Sequence, residues 1–189
     1  MIETFSVPLR FSPDNKLVAT VGEGGKASLW NTENQSKVEL KGHQGTVYGV
    51  SFSPDGKEVF TAGDDGFIRR WHLNGKRLAE VKAYQSSVRN ISFSFTKDGN
   101  LLATVGASGT VKLWTSSGQQ LAEFLGHQGI VNSAAFSDDG KLLATAGDDG
   151  TARVWPVRKL DQLLEEGCTR LEDYFSTQKK PQKLQSVCD

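Results

Sequence analysis

Histidines and paired carboxylates are the side chains of this 189-residue chain that could do acid–base or metal chemistry. Two of its three histidines stand in a repeated Gly-His step, at His43 and His127, and each is followed by an Asp-Asp pair, at 64–65 and 148–149. A carboxylate pair beside a histidine could act as general acid and base, or could bind a metal ion. Because the arrangement recurs at the same kind of turn, we interpret it as scaffold geometry, since a repeated active site would be improbable.

Three other features could carry chemistry, and each has a simpler interpretation. A metal site would have to recruit His72 together with carboxylates that are distant in sequence. Cys168 lies in an apolar helical pattern with no histidine near it, so we interpret it as a packed small side chain. The segment 21–25, VGEGG, is similar to a phosphate-binding loop, but it joins two predicted strands. The sequence thus predicts no catalytic residue, no metal site and no cofactor.

The elements that position the histidines and carboxylates form a repeat. Four tryptophans lie 41, 43 and 41 residues apart, and a Phe-Ser step and a glycine-containing turn recur before each of them. A period of about 40–45 residues with such landmarks predicts four-stranded antiparallel units, the blades of a β-propeller. We place the four blades at 5–41, 42–82, 83–125 and 126–156.

Within the second unit, four short segments have the composition of strands: 47–52, 58–61, 68–71 and 78–81. Asp-Gly and Asn-Gly pairs between them supply the positive φ that tight hairpin loops need. Alternation along the third strand places each tryptophan beside polar residues, so its indole N–H is expected to find a polar partner. We predict an all-β fold, a partial β-propeller of four antiparallel blades with about fifteen strands, followed by one C-terminal α-helix.

Two of the units carry histidine, threonine, aspartate and tryptophan at matching positions, and they resemble the WD-repeat (β-transducin-like) family. The resemblance covers about four fifths of the chain. In that family the four side chains form a hydrogen-bonded tetrad inside a blade, and the propeller serves as a protein-docking platform. The resemblance implies two tetrads, formed by His43, Thr61, Asp65 and Trp71 and by His127, Thr145, Asp149 and Trp155.

The first and third units depart from this pattern. Tyr84 stands where the third unit should have its histidine, and Ser108 stands at the aspartate position. The first unit has Ile2 and Gly24 at the two places. Histidine and aspartate are therefore present together or absent together, as a direct interaction predicts, because a buried polar group without its partner costs about 1–3 kcal/mol.

The resemblance also implies a binding surface on one rim of the propeller. Residues that flank the start of the innermost strand, and the residue before the tight-turn aspartate, face this rim in the family. The candidates for partner binding are Tyr48, Arg89, Asn132, Asp64 and Asp148. A mixture of Tyr, Arg and Asn with carboxylates is typical of protein or peptide contacts, and the alternative is that these positions only face water. Arg70 is a further candidate, because its counterparts are apolar; alternatively its stem lies along the sheet and its charge reaches solvent.

The sequence after Pro156 changes period. Apolar residues three, four or seven apart predict an amphipathic helix over 157–175. Two roles are open for it, a cap on the last blade or a docking helix for a partner. Its sequence, LDQLLEEGCTRLEDYF, is also similar to the tail that follows the last repeat in cyanobacterial WD-repeat proteins. We expect the polar residues 176–189 to be disordered.

Composition indicates which partners to expect. The chain has 22 basic and 22 acidic residues, whereas polyanion binding favours a basic excess. No stretch approaches the ~18–20 apolar residues of a membrane span. Both cysteines lie outside the repeats, which suits a reducing compartment. We expect a cytoplasmic protein that binds a protein or peptide partner, with no nucleic acid and no membrane.

Four blades span about half of a usual ring, so both ends of the array are expected to leave apolar surface uncovered. Three arrangements remain open: a part of a longer propeller protein, a homodimer that closes an eight-bladed ring, and an open monomer. We expect a non-enzymatic scaffold for protein–protein interaction that is part of a larger signalling or regulatory protein. The alternative is a propeller enzyme or a small-ligand-binding domain that uses the funnel rim.

Overall fold

Fifteen short strands form the computed structural model in the part of the chain that it describes, which is residues 8–84, 92–106 and 109–157. The predicted helix lies outside the described residues from residue 158 onward, and so does the segment 176–189. None of the described residues belongs to a helix long and apolar enough to cross a membrane. The prediction of an all-β fold with four antiparallel sheets is confirmed.

The first two sheets have four strands each, and every strand pairs with the next one along the chain. The first sheet contains β1 (Leu9–Phe11), β2 (Leu17–Val21), β3 (Ala27–Asn31) and β4 (Lys37–Glu39). The second sheet contains β5 (Val47–Phe52), β6 (Glu58–Gly63), β7 (Phe67–His72) and β8 (Arg77–Lys82).

The third sheet repeats this order, and the fourth stops one strand short. The third sheet contains β9 (Ser92–Phe95), β10 (Leu101–Val105), β11 (Val111–Thr115) and β12 (Gln120–Phe124). The fourth sheet contains β13 (Val131–Phe136), β14 (Leu142–Gly147) and β15 (Ala152–Pro156). The described residues thus form sheets of four, four, four and three strands, in agreement with the expected total of fifteen.

The same turn joins the first two strands of each sheet. In the second sheet the Ser53 hydroxyl donates to Asp55 Oδ1 at 2.7 Å, and the Lys57 backbone N–H donates to the same oxygen at 3.1 Å. These two hydrogen bonds lower the pKa of Asp55. Ser12, Thr96 and Ser137 make the matching bond to an aspartate two residues later. Because each turn satisfies its own polar groups, the hairpins form from local sequence.

Apolar side chains fill the space between consecutive sheets. Leu29, Val47 and Trp71 belong to a cluster between the first and second sheets, and each is at least 99% buried. Phe60 and Trp114 belong to a second cluster, between the second and third sheets. Full burial of one large apolar side chain contributes about 1.5–3 kcal/mol, so the contacts between sheets contribute substantially to the stability of the array.

A glycine sets how closely one sheet approaches the next. Gly66, in the turn between β6 and β7, has φ +71°, and a Cβ built on it would collide with the backbone carbonyl of Tyr84. A Cβ built on Gly25 would collide with the backbone carbonyl of His43, and one built on Gly109 would collide with that of His127. The matching glycine of the fourth sheet, Gly150, has no described atom within 4 Å of such a Cβ.

Apolar residues are exposed on the two terminal sheets. Phe11 is 56% exposed, whereas its counterpart in the second sheet, Phe52, is 6% exposed. Val154 is 63% exposed, whereas its counterpart Leu113 is 3% exposed. Phe52 is buried because it packs in the cluster between the first and second sheets. The described residues therefore leave apolar surface uncovered at both ends of the array.

Candidate functional site

A chain of hydrogen bonds crosses the second sheet from its tryptophan to its turn aspartate. Trp71 Nε1 donates to Thr61 Oγ1 at 2.8 Å, and Thr61 Oγ1 lies 2.8 Å from His43 Nε2. His43 Nδ1 lies 3.1 Å from Asp65 Oδ1. β6 supplies Thr61 and β7 supplies Trp71, while the loops before β5 and before β7 supply His43 and Asp65. Cross-strand pairing thus brings together four residues that are up to 28 positions apart.

The fourth sheet repeats this chain with nearly the same distances. Trp155 Nε1 donates to Thr145 Oγ1 at 2.9 Å, and Thr145 Oγ1 lies 2.9 Å from His127 Nε2. His127 Nδ1 lies 3.0 Å from Asp149 Oδ2. All eight residues that the family resemblance implied are therefore in hydrogen-bonded sets of four. We call these two sets the tetrads, and we call the end of the sheets with the histidine loops the tetrad end.

One direction of proton donation satisfies every group in a tetrad. The indole N–H can only donate, so Thr61 Oγ1 accepts from it and its hydroxyl proton goes to His43 Nε2. His43 Nδ1 then carries the proton and donates to Asp65. Arg69 Nη1 also lies 2.6 Å from His43 Nδ1, but one nitrogen cannot donate and accept at once. We assign the Arg69 bond to Asp65 Oδ2, also at 2.6 Å, because the fourth sheet keeps the same His–Asp geometry with its arginine farther away.

Burial and charge keep His43 neutral. Its side chain is fully buried, and this burial, together with the positive charge of Arg69, lowers its pKa below the ordinary 6.5. The negative charge of Asp65 raises the pKa of His43, but this effect is smaller than the lowering by burial and Arg69. Burial alone would raise the pKa of Asp65, yet hydrogen bonds from the Gln44 N–H and from Arg69 outweigh it and lower that pKa. Asp65 is thus a carboxylate that the surrounding hydrogen-bond donors stabilise in its charged form.

In the tetrad of the fourth sheet, different donors hold the aspartate. The backbone N–H of Gln128 donates to Asp149 Oδ2 at 2.9 Å, and the Thr151 hydroxyl donates to Oδ1 at 2.7 Å. These two bonds hold the pKa of Asp149 well below its usual range. Thr151 therefore does in the fourth sheet what Arg69 does in the second.

An aspartate, a histidine and a hydroxyl in a row could activate a nucleophile, as in a catalytic triad. The tetrads cannot do so, because their hydroxyls are inaccessible. Thr61 is completely buried and Thr145 is 3% exposed. Each hydroxyl oxygen also accepts the indole N–H of its sheet's tryptophan. The two sets therefore fix the geometry of their sheets, as the interpretation of a repeated scaffold requires.

The third sheet replaces the histidine with a phenol. The Tyr84 hydroxyl donates to Thr104 Oγ1 at 2.9 Å, and Trp114 Nε1 lies 2.9 Å from the same oxygen. Burial raises the pKa of Tyr84 to about 12, so the phenol keeps its proton. Lys112, at the position of Arg69, donates to the Ala83 carbonyl at 2.7 Å and lies over the Tyr84 ring. Sequence reasoning treated this unit only as lacking both partners, and it missed that tyrosine can occupy the histidine's place.

Two side chains expected at the binding rim occupy the same irregularity in two sheets. In the pairing of β5 with β6, Val47 is opposite Gly63 and Gly49 is opposite Ala62, so Tyr48 is an extra residue. Asn132 is the extra residue in the pairing of β13 with β14. Such β-bulges re-aim a side chain out of the regular alternation and are frequent beside functional sites. Both bulges lie at the tetrad end, where Tyr48 is half-buried and Asn132 is exposed.

The two rim aspartates adjoin these bulges. Asp64 Oδ2 accepts the backbone N–H of Thr46 at 3.2 Å, and Asp148 Oδ1 accepts from Asn132 Nδ2. Asp64 is partly exposed and Asp148 is exposed. The structure thus brings Tyr48, Asp64, Asn132 and Asp148 to one end of the array. Arg89 lies outside the described residues.

Arg70 is separate from this rim. It lies in β7 toward the opposite end, where its Nη1 donates to the Ser116 carbonyl of the third sheet at 2.9 Å. Its Nε lies 3.6 Å from Glu58 Oε2, and its side chain is 27% exposed. The sequence suggested two positions for Arg70, at the binding rim or with its charge in open solvent. The structure places it between two sheets instead. The reason is that Arg70 is directly opposite Phe60 in the middle of its sheet and faces the neighbouring one.

Metal binding finds no support in the same geometry. Within residues 8–84, 92–106 and 109–157, no group of three or more His, Cys, Asp or Glu side chains could hold a metal ion. The His43 and His127 rings already use both nitrogens in the tetrads.

Comparison with known proteins agrees with this geometry. The family model described as WD domain, G-beta repeat matches the chain four times, at residues 9–31, 34–72, 75–115 and 118–156. Each later match begins before the outer strand of one sheet and ends with the tryptophan strand of the next, and the fourth sheet has three strands in the described part of the chain. No curated protein matches the chain. Domains of this kind are typically scaffolds for protein interaction and are usually non-catalytic. The chain belongs to the family of WD domain, G-beta repeat proteins.

Proposed function

We propose that the chain is a non-enzymatic docking module, in which the four sheets are consecutive blades of a β-propeller and the tetrad end binds a protein or peptide partner. The observation that carries the proposal is the pair of bulges that direct Tyr48 and Asn132 to the same end. The tetrads beneath them are hydrogen-bonded throughout, and their histidines and threonines are buried. They give the rim a rigid support, which lowers the entropy cost of binding.

The chemistry of the rim favours a partner with basic and polar groups. Tyr48 offers a large and rigid contact surface, which is typical of residues that dominate binding energy. Asp64 and Asp148 place carboxylates beside the two bulges, and their charges complement Lys or Arg side chains. Asn132 adds an amide that both donates and accepts. We therefore propose a basic peptide segment of a partner protein as the occupant of this rim.

Site-specific photo-crosslinking tests the proposal. A photo-reactive phenylalanine analogue is placed at Tyr48 in the full chain and exposed to a proteome of the source cell. A matched variant carries the same analogue at Glu33, which is exposed in the turn between β3 and β4 at the opposite end. We expect one crosslinked protein that appears with position 48 and not with position 33, and that is displaced by an excess of the unmodified chain.

The crosslinked segment is then identified by mass spectrometry. A segment with Lys or Arg supports the proposed charge complementarity. Equal crosslinking from both positions, or crosslinks that an excess of the chain fails to displace, would contradict a docking site at the tetrad end.

A further inference from the structure

The second and third sheets enclose a cleft at the end opposite the tetrads. Its volume is about 450 Å³, and the turn between β5 and β6 and the turn between β9 and β10 form its two sides. Phe60, Phe95 and Arg70 lie at its base. A small apolar cavity of about 20 Å³ lies between the same two sheets and shares Phe60 and Arg70 with the cleft. A polar mouth thus leads to an apolar base that contains one cation.

Arg70 is unusual for its position. The counterparts one residue before the tryptophan are Leu29, Leu113 and Val154, which are apolar. Arg70 Nη1 donates to the Ser116 carbonyl, but Arg70 Nε is buried and has no hydrogen-bond acceptor. Glu58, at 3.6 Å from Nε, is too distant for a hydrogen bond. The Arg70 side chain as a whole is 27% exposed and lines the cleft, so the rest of its guanidinium can donate to a ligand carboxylate.

The charges around the mouth leave room for an anion. The carboxylates of Asp55 and Asp98 accept hydrogen bonds within their own turns, from Ser53 and Lys57 and from Thr96 and Asn100. Lys57 and Lys97 are 80% and 71% exposed, and their ion pairs with Asp55 and Asp138 are solvent-exposed. Exposed pairs of this kind are weak, so both ammonium groups can turn toward a bound anion. Lys57, Arg70 and Lys97 balance Asp55, Glu58 and Asp98 in number, so the lining has no net negative charge that would repel an anion.

The spacing of apolar and charged groups selects the kind of anion. Phe60 and Arg70 are directly opposite each other on paired strands, and the Phe60 and Phe95 ring centroids are 5.0 Å apart. A ligand must therefore carry its carboxylate and its apolar group close together. The C-terminal residue of a peptide carries both on one Cα. An internal Asp or Glu does not, because in an extended chain the neighbouring side chain points the other way.

We propose that this cleft is a second binding site, which takes the C-terminal residue of a peptide with an apolar side chain. The terminal carboxylate accepts hydrogen bonds from Arg70, and the side chain packs against Phe95, whose partly exposed ring contacts the buried Phe60. This site goes beyond the docking function of the tetrad end, from which it is separated by the length of the sheets. Either site could be lost without the other.

An NMR titration of the ¹⁵N-labelled full chain with N-acetylphenylalanine tests the proposal. The neutral N-acetylphenylalanine amide serves as the matched probe. We expect saturable shifts of the Trp114 indole and the Ser116 amide with the carboxylate, and about tenfold weaker binding of the amide. The Arg70→Leu variant has the residue found at positions 29 and 113, and it should lose the same factor of about ten.

A second variant keeps the test decisive if Arg70→Leu disturbs folding. Lys97→Glu changes an exposed side chain at the mouth, and it should weaken binding of the carboxylate about threefold or more without affecting the amide. Unchanged Trp71 indole signals show that each variant is folded. The proposal is wrong if the unaltered chain does not bind the carboxylate, if the amide binds equally well, or if folded Arg70→Leu binds as tightly as the unaltered chain.

Discussion

At the scale of single residues, all four sheets share a threonine whose hydroxyl accepts a hydrogen bond from the tryptophan indole. Thr20, Thr61, Thr104 and Thr145 each accept the indole N–H of their sheet's tryptophan. What differs is the second partner, which is His43 or His127 in two sheets and Tyr84 in the third. A hydroxyl suits this place because it accepts from the indole and donates to a ring nitrogen at once.

Removal of one hydroxyl should have a cost that depends on burial. Thr61→Val keeps the shape of the side chain but leaves the buried Trp71 N–H and His43 Nε2 without partners, and each stranded group costs about 1–3 kcal/mol. Thr20→Val is the matched control, since Trp30 is 39% exposed and water can replace the lost partner. We expect the free energy of unfolding, measured with urea, to fall by at least about 1 kcal/mol more for Thr61→Val. Equal losses would contradict the role assigned to the tetrads.

The lowered pKa of His43 makes stability depend on pH. Its pKa in the folded chain lies below its unfolded value of 6.5, so the unfolded state binds more protons as the pH falls. The contribution to stability is complete above pH 6.5 and is lost as the pH falls through the folded pKa. The lowered pKa of Asp65 acts in the same direction below its ordinary 3.8. NMR titration of the ring protons, with His43→Asn to assign the signal, should show His43 still neutral at pH 6.5; protonation at or above pH 6.5 would contradict this account.

The sequence allowed the tetrad residues to be named because histidine and aspartate recur at fixed places. It did not allow two participants to be foreseen. Tyr84 was interpreted as a departure, because nothing in one sequence shows that its hydroxyl reaches Thr104. Alternation puts the polar residues of the third strand, of which Arg69 is one, on the tryptophan face, but the bond from Arg69 to Asp65 depends on a side-chain direction that residue types leave open. The signal that could have found it is that both tetrad sheets, and no other, have arginine two residues before tryptophan.

At the scale of elements, the turn residues allowed the strands to be predicted, but they did not allow the register between strands to be predicted. The strand expected at 68–71 extends by one residue at each end, to Phe67–His72, because pairing with β6 and β8 continues past the apolar residues. The bulges at Tyr48 and Asn132 could not be foreseen. A bulge depends on how two strands are aligned, and the alternation of residue types around it remains regular.

The turn glycines give a direct test of contact between sheets. Gly66→Ala and Gly150→Ala impose the same backbone strain, because the two φ angles are +71° and +72°. Only Gly66 lies against the carbonyl of Tyr84, in the segment that precedes the next sheet. We expect Gly66→Ala to lower the melting temperature more than Gly150→Ala, by several degrees, which corresponds to an added cost of about 1 kcal/mol or more. Similar melting temperatures would mean that the sheets do not stack in sequence order as described.

At the scale of the whole molecule, the two terminal sheets resemble interior sheets whose neighbour is absent from the described residues. Phe11 and Val154 are exposed where Phe52 and Leu113 are buried. The uncovered side of the first sheet and that of the fourth are different surfaces. Two copies can therefore meet end to end, as the sheets within one chain do, and such contacts close a ring when the rotation permits it.

We expect this chain on its own to self-associate through these ends. Light scattering over a range of concentrations should give a mass of at least twice the monomer. Phe11→Ser combined with Val154→Ser should shift the mass toward the monomer, whereas Leu78→Ser, at a similarly exposed site of an interior sheet, should not. A monomer at every concentration, with cooperative unfolding, would contradict self-association.

The central claim is that the tetrad end is the docking surface, and the affinity of the crosslinked partner segment tests it most directly. The segment is titrated by calorimetry into the unaltered chain, into Tyr48→Ala with Asn132→Ala, and into Glu33→Ala. We predict that the double variant binds at least about tenfold more weakly and that Glu33→Ala binds within about twofold of the unaltered chain. Equal affinity of all three proteins, with the double variant shown to be folded, would contradict the claim.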